Sequence, residues 1–493
     1  MENNNLIKRL VLNVGKDTLL YIPSKLFPAL FGFIGLSIYT RIFSPNEYGD
    51  YSLIMATVGI AGIFAYSWIN QSNLRFYSPY RIENKLKVFF STSFFTLVGT
   101  LAISSLILII LSKFSLLPYA VTSYIMLVIG VMFTMAFFET LMTILRADRK
   151  PKSVSLFRSL SSGLCLAISL LLIYIFNLRI SAILLGYILT NLILSTIIIL
   201  KFKFYKYIHF RYFSRKALKE YADYGIPLIA TLLFSWILAL SDRYIIEYFR
   251  GSAEVGIYSA AYQLAEYPIS LISSIIVMAA FPIIIDTWEK NGDEPTKDLI
   301  SNVIRYYLLL AIPSLVGIIV LSKDIMLILG KSYSGGYGVL PWVCFGSLMY
   351  GLCVYVNKGL ELKKNTKVLS FLVGMAGISN IAMNFLLIPK FGFFGAAVAT
   401  GSAYLIYFIL SVIISKSYLK LTISGNFLKN ILIGSILTGI ALFMVKKSLG
   451  ESFFNLLLLI CFGVIIYFIV LFLTGEIKNE AVLVKNYLIS IIK

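Results

Sequence analysis

The sequence predicts an all-α membrane protein of fourteen transmembrane helices, with two six-helix lobes related by a pseudo-two-fold axis and two further helices toward the C-terminal end. Three observations predict it. Of 493 residues, 59% are hydrophobic and only 13% charged, and the mean hydropathy is +0.87, which leaves too little polar surface for a soluble body of this size. Apolar runs of about 18 residues or more recur along the whole length, the span of a helix rather than of a barrel strand. Finally, the pattern E-x-G-x-Y-S occurs twice, at Glu47 to Ser52 and at Glu254 to Ser259, each time joining one long apolar run to the next. A unit written twice is the signature of a duplicated architecture.

In chain order the predicted spans are 18–42, 51–74, 88–112, 119–145, 153–176, 180–200, 226–248, 257–285, 300–321, 339–362, 368–389, 394–415, 430–446 and 453–473. They group into a first lobe (1–200), a basic-aromatic connector (201–225), a second lobe (226–415) and a two-helix extension with a tail (416–493). The start, MENNNLIKRL, carries no short apolar core followed by a small-residue cleavage site, so no removable signal peptide is expected. In the tail after Gly475, Ile477, Val484, Leu488 and Ile492 are spaced between lysines as in an interfacial helix.

The net charge is +20, but the cations are dispersed in short loops, as positive-inside topology requires, so no nucleic-acid partner is expected. Lys8, Arg9 and Lys16, then Arg75 to Lys87, Arg146 to Lys152, Lys201 to Lys219, Lys363 to Lys367 and Lys416 to Lys429 fall on one side. The other side holds only Lys113, Arg179, Arg250, Lys323, Lys331, Lys390, Lys446 and Lys447. Both termini are therefore expected in the cytoplasm, on a multi-pass protein of the cell (inner) membrane. In the connector, KFKFYKYIHFRYFSRK, cations alternate with rings, so it is expected on the lipid headgroups, rings at the interface and cations toward anionic lipid. Cys165, Cys344, Cys353 and Cys461 lie in apolar runs without metal-ligand spacing and are read as packing residues. His209 has no Cys or carboxylate near it in sequence. No metal and no cofactor are expected.

Ionisable groups at membrane depth are costly and point to function. In the first span Asp17, Tyr21, Ser24, Lys25, Pro28, Gly32, Gly35 and Tyr39 recur at three- and four-residue steps, a polar stripe that lines a wet path or a helix interface. Lys25 is then either a cavity cation or a snorkelling one. The second span ends in Asn70, Gln71, Ser72, Asn73, Leu74, Arg75, too polar for lipid. The fourth carries Glu139 and Arg146, read as a local pair; the ninth carries Arg305; the tenth carries Tyr350, Asn357 and Glu361 on one stripe with Lys358 adjacent. Asp242 and Arg243 make either a structural pair or a site. Glu266 is the most deeply placed acid, either an ion-coupling carboxylate or a counter-charge to a cation such as Lys25. Asn380 and Asn384, one turn apart, are expected to join helices by hydrogen bonds. Prolines at 23, 28, 227, 268, 282 and 313 are expected to break or bend their helices.

Several of these stretches resemble a known family. R-I-F-S-P-N-E-Y-G-D-Y at 41–51 is similar to the R-x-L-G-P-x-E-Y-G-x-Y signature of polysaccharide-export proteins, the Wzx-type oligosaccharide-lipid flippases, with Phe43 and Ser44 in place of Leu-Gly. N-Q-S-N-L-R-F-Y at 70–77, Y-G-I-P-L at 224–228, S-D-R-Y-I-I at 241–246 and L-I-P-K-F-G-F-F-G-A-A-V-A-T at 387–400 match in order. The resemblance implies the multidrug, oligosaccharidyl-lipid and polysaccharide exporter fold. It also implies transfer of a polyprenyl-diphosphate-linked glycan from the cytoplasmic to the outer leaflet, with polysaccharide polymerase and glycosyltransferases as neighbouring partners.

A diphosphate crossing a low-dielectric region needs fixed cations. Lys25, Arg75, Arg305 and Lys358, with Tyr21, Ser24 and Asn70, are the expected substrate residues, and Asp242 and Glu266 those for ion coupling or counter-charge. There is no Walker motif. A cation-extruding drug exporter of the same fold is the alternative, expected to favour acidic and aromatic residues. A membrane-embedded glycan polymerase is a further one, expected to show a long external catalytic loop.

Overall fold

The computed structural model describes residues 20–450 and 452–478, and all regular structure there is helical. Asp17, the basic groups of the first sixteen residues and the tail positions from Val484 on lie outside the described residues. In chain order the long helices are α1 (Pro23–Ile42), α2 (Pro45–Ile82), α3 (Leu86–Lys113), α4 (Ile125–Ala147), α5 (Pro151–Phe176), α6 (Ile180–Phe202), α7 (Arg215–Arg250), α8 (Ser252–Asn291), α9 (Asp293–Met326), α10 (Val339–Val356), α11 (Thr366–Ser415), α12 (Gly425–Lys446) and α13 (Phe453–Leu473). Among the described residues, twelve helices are long and apolar enough to cross a membrane. The expectation of fourteen differs for two reasons. The 20-residue α1 is not among the twelve, and α11 covers two expected spans in one 50-residue helix, broken at Gly392, whose φ is 58° and ψ −143°.

The start of α2 shows how sequence sets structure. Ser44 caps the helix in a reciprocal capping box with Glu47, and Pro45 occupies the first turn, where its missing N–H costs nothing. Midway, Ile63–Ser67 form a π-helical turn, with Ser67 Oγ donating to Gly62 O at 3.1 Å. Such turns mark functional sites more often than chance. Of the expected proline breaks or bends, no break occurs: Pro28, Pro227, Pro268, Pro282 and Pro313 all sit inside continuous helices, and Pro23 opens α1.

The described residues form two compact units, one of residues 20–260 with 373–399, the other of 261–372 with 400–450 and 452–478. In the first, part of the connector's ring set packs on α3. Phe204 is buried and stacks on Phe90 with centroids 5.1 Å apart, and Tyr207 does so at 5.2 Å. The Ser91 hydroxyl donates to Tyr207 O and accepts from the His209 backbone N–H. The connector is pinned to α3, while its rings Tyr205, His209, Phe210, Tyr212 and Tyr224 are exposed.

The two E-x-G-x-Y-S copies meet in this unit. Ser52 Oγ donates to Ser259 Oγ at 2.7 Å, across 207 residues of sequence. A Cβ on Gly49 would overlap the Ser252 carbonyl, and one on Gly256 would overlap the Pro45 carbonyl. The starts of α2 and α8 therefore cross with backbone against backbone, which the paired glycines alone permit. Each copy's glutamate reaches a turn of its own surroundings: Glu47 pairs with Arg179, and Glu254 accepts the Phe393 N–H at 2.9 Å beside the Gly392 break.

In the second unit, Tyr307 OH donates to Leu348 O at 3.1 Å, tying α9 to α10. Tyr467 OH donates to Leu309 O at 2.8 Å, tying α13 to α9.

Candidate functional site

In the first unit, α1, α4 and α5 bring three cations and one acid together. Glu139, Thr143 and Arg146 share one face of α4 at four- and three-residue steps, and Arg158 lies two turns into α5. At 1.5 Å per residue, Glu139 and Arg158 sit roughly 10 Å inside their helix ends. Arg158 grips both carboxylate oxygens of Glu139, with Nη1 2.5 Å from Oε1. Its guanidinium also lies 5.5 Å from the Phe138 ring centroid. Arg146 donates instead to Thr143 Oγ1 at 3.0 Å. The charged groups acting on Lys25 are Arg158, Arg146 and Glu139, and Tyr21 stands near Arg146. Tyr66, in the π-turn of α2, is a further electrostatic neighbour of Glu139 and Arg158. Lys25 and Arg146 are exposed, while the side chains of Arg158 and Glu139 keep 28% and 24% of their surface accessible. Three positive groups against one negative leave a net charge of +2 on the cluster. A reachable cluster of this kind receives an anion by charge-assisted hydrogen bonds.

The expected pairing of Glu139 with Arg146 is thus corrected. The acid prefers the guanidinium of Arg158, which can offer it two parallel N–H donors, and Arg146 is left to the site. Arg158 was missed, although it is the one Asp, Glu, Lys or Arg in the expected span 153–176 and the cost of burying charge is signal enough.

The other expected residues are placed as follows. Ser24 donates to Tyr21 O at 2.6 Å. Thr140 donates to Asn70 Oδ1 at 2.9 Å, so Asn70 joins α2 to the helix that carries Glu139. Arg75 is exposed on α2, two residues beyond the fully buried Asn73. Asp242 is buried, with Arg243 Nη1 at 3.0 Å and the Tyr258 hydroxyl donating at 2.5 Å. That pair is a buried local ion pair, with Arg243 also donating to Ala239 O at 2.9 Å. Asn384 donates to Asn380 Oδ1 at 2.9 Å along α11 itself.

In the second unit, Glu266 is half-buried on α8 with Tyr267, Tyr350 and Tyr404 around its charge. Lys358 is buried, its Nζ 2.5 Å from Glu361 Oε2 and 4.6 Å from the Phe281 ring centroid. Arg305 donates to Glu476 O at 2.8 Å and Oε1 at 3.2 Å, and packs on Phe427. Glu476 also accepts from Asn430 at 3.0 Å, so Arg305 fastens α9 to α12 and to the turn after α13. Cys165, Cys344 and Cys353 are buried but Cys461 is exposed. Among the described residues no group of three His, Cys, Asp or Glu side chains could hold a metal.

Helices of this length define a multi-pass membrane protein, here with a net basic cluster in its first unit. The chain belongs to the family described as polysaccharide biosynthesis protein, whose model matches residues 14–288. Among curated relatives it is 25% identical over 271 residues to a Haloferax volcanii protein named "Probable low-salt glycan biosynthesis flippase Agl15", covering 54% of this chain and 56% of that one. The chain thus spans about half the length of that relative. It is 22% identical to an uncharacterized membrane protein of Methanocaldococcus jannaschii, with 87% and 89% covered. Among solved structures, the lipid II flippase MurJ in an inward closed conformation superposes with a TM-score of 0.77 at 17% identity, covering 94% of this chain and 100% of that one. An inward-facing multidrug resistance MATE family transporter of the MOP superfamily gives 0.57 at 14% identity, with 83% and 94% covered. The fold is of this transporter type.

Proposed function

We propose that the chain is a flippase that carries a polyprenyl-diphosphate-linked oligosaccharide, a surface-polysaccharide repeat unit, from the cytoplasmic to the outer leaflet by alternating access coupled to an ion. The observation that carries this reading is the basic cluster. Lys25, near the start of α1, Arg146, near the end of α4, and Arg158, two turns into α5, outnumber Glu139, and a diphosphate is the ligand whose charge offsets theirs. The family membership and the name of the Haloferax relative support the glycan part of the reading.

With it go the finer expectations: fourteen spans in two six-helix lobes, both termini in the cytoplasm of a cell-membrane protein, and glycosyltransferases and a polymerase as partners. The meeting of the two repeat copies at Gly49 and Gly256 supports the duplicated design. Alternating access in such designs is a rocking of matched bundles about a central site. Asp242 and Glu266 are the ion-coupling candidates.

One observation favours the cation-exporter reading: Glu266, an acid set among tyrosines, is what an organic cation would seek. Proteoliposomes separate the two. The flippase reading expects movement of a lipid-linked glycan and its loss on Lys25→Ala at unchanged protein level. Full activity of Lys25→Ala, or transport of cationic dye alone, would refute it.

A further inference from the structure

The three cations of the basic cluster are not held alike. Arg158 has both arms of its fork committed to Glu139, whereas among the described residues Arg146 donates to the Thr143 hydroxyl at 3.0 Å and makes no ion pair, and Lys25 has these groups as its charged surroundings without an ion pair among the described residues. An acid placed merely to neutralise the cluster would sit among all three. Glu139 instead presents two oxygens to a single guanidinium, the same bidentate geometry a phosphate offers. Both side chains are partly accessible, 28% and 24%, so the pair can open without unpacking the helices.

We propose that Glu139 is an internal stand-in for the substrate's diphosphate. It fills the Arg158 fork while the site is empty, surrenders it to the arriving phosphate, and takes it back to expel the substrate. Glu139 is then a residue that sets affinity and release. This rests on the lipid-diphosphate reading above and adds to it a competing anion supplied by the protein.

Glu139→Gln keeps the shape of the side chain but removes its charge, which frees the fork and raises the cluster to three uncompensated cations. Binding of farnesyl diphosphate to the purified full chain, with farnesol as the uncharged control, is the probe. Expected is at least a tenfold lower Kd for Glu139→Gln than for the unaltered protein, together with slower glycan release in proteoliposomes. Glu139→Asp, which keeps the charge but retracts it by one methylene, should fall between the two and serves if the glutamine variant does not fold. Equal or weaker binding by either folded variant overturns the proposal. The outcomes are separable from the parent reading: if the unaltered protein binds farnesyl diphosphate no better than farnesol, the lipid-diphosphate reading itself fails, and this proposal with it. If it binds and the variants do not bind more tightly, only the role of Glu139 fails.

Discussion

Replacing Gly49 by alanine tests whether the repeated motif is a packing device. In an open helix Gly→Ala stabilises by about 1 kcal/mol, because alanine loses less backbone entropy. At Gly49 the new methyl would overlap the Ser252 carbonyl oxygen and lie 2.7 Å from its carbon, about 1 Å inside the ~3.5–4.0 Å optimum for carbon pairs. The obstacle is backbone, which cannot swing aside as a side chain can, so the overpacking cost falls near the upper end of the usual range, about 3 kcal/mol. Subtracting the helix gain leaves a net loss of about 2 kcal/mol. Gly256→Ala should cost the same, since its Cβ would lie 2.8 Å from the Pro45 carbonyl carbon. Gly99 supplies the control: it lies inside α3 and a Cβ there meets nothing within 4 Å, so Gly99→Ala should stabilise. Unfolding of the three purified variants in one detergent would put Gly49→Ala and Gly256→Ala below the parent and Gly99→Ala above it. If Gly49→Ala unfolds no earlier than Gly99→Ala, the backbone crossing is not a constraint and the reasoning fails.

Two further tests follow from the same geometry. With the four native cysteines removed, Ser52→Cys with Ser259→Cys should oxidise readily, since the native hydroxyl oxygens are 2.7 Å apart; if the crossing must part during transport, oxidation stops glycan movement and reduction restores it, whereas undiminished transport by the oxidised form contradicts a moving crossing. Arg305→Ala removes the charge-assisted bonds to Glu476 and should lower stability by about 1.5–3 kcal/mol, read as an earlier melt; an unchanged midpoint would mean that α12 and α13 are held by packing alone.

Much of the fold could be read from the sequence because lipid enforces it. Apolar length dictates helix, and ends such as Ser44-Pro45-x-Glu47 encode their own cap. What failed were arguments in which one local feature had to beat its surroundings. Pro268 and Pro282 promised breaks, yet α8 runs through both, while the break in α11 falls at Gly392, where φ is 58° and a Cβ would strike the Glu254 carboxylate. In the connector a ring has no fixed preference between interface and protein, so the sequence could not say which rings pack inward, and Phe90 takes Phe204 and Tyr207. For the candidate site, the polar stripe carrying Lys25 could be read from the sequence. The partners of Lys25 could not, because the choice of Arg158 over Arg146 by Glu139 depends on which helix lies across from α4.

The repeated motif lies at the backbone crossing of α2 and α8 and away from the basic cluster. Around the crossing the two copies keep a constant offset of 207 residues, shared by Ser52 with Ser259, Gly49 with Gly256 and Pro45 with Ser252. Carried back along the preceding helix, the same offset sets Ser24 opposite Thr231 but Lys25 opposite Leu232. The polar, small and turn-forming positions are retained because both copies must make the same backbone contacts. The lysine has no counterpart, since Leu232 stands at its place in the second copy and a charge is costly to keep among apolar helices. A charge that appears in one copy and not in the other is therefore a stronger pointer to function than any element the copies share. By that criterion Lys25, with Arg146 and Arg158 beside it, is where substitution should alter transport before it alters folding.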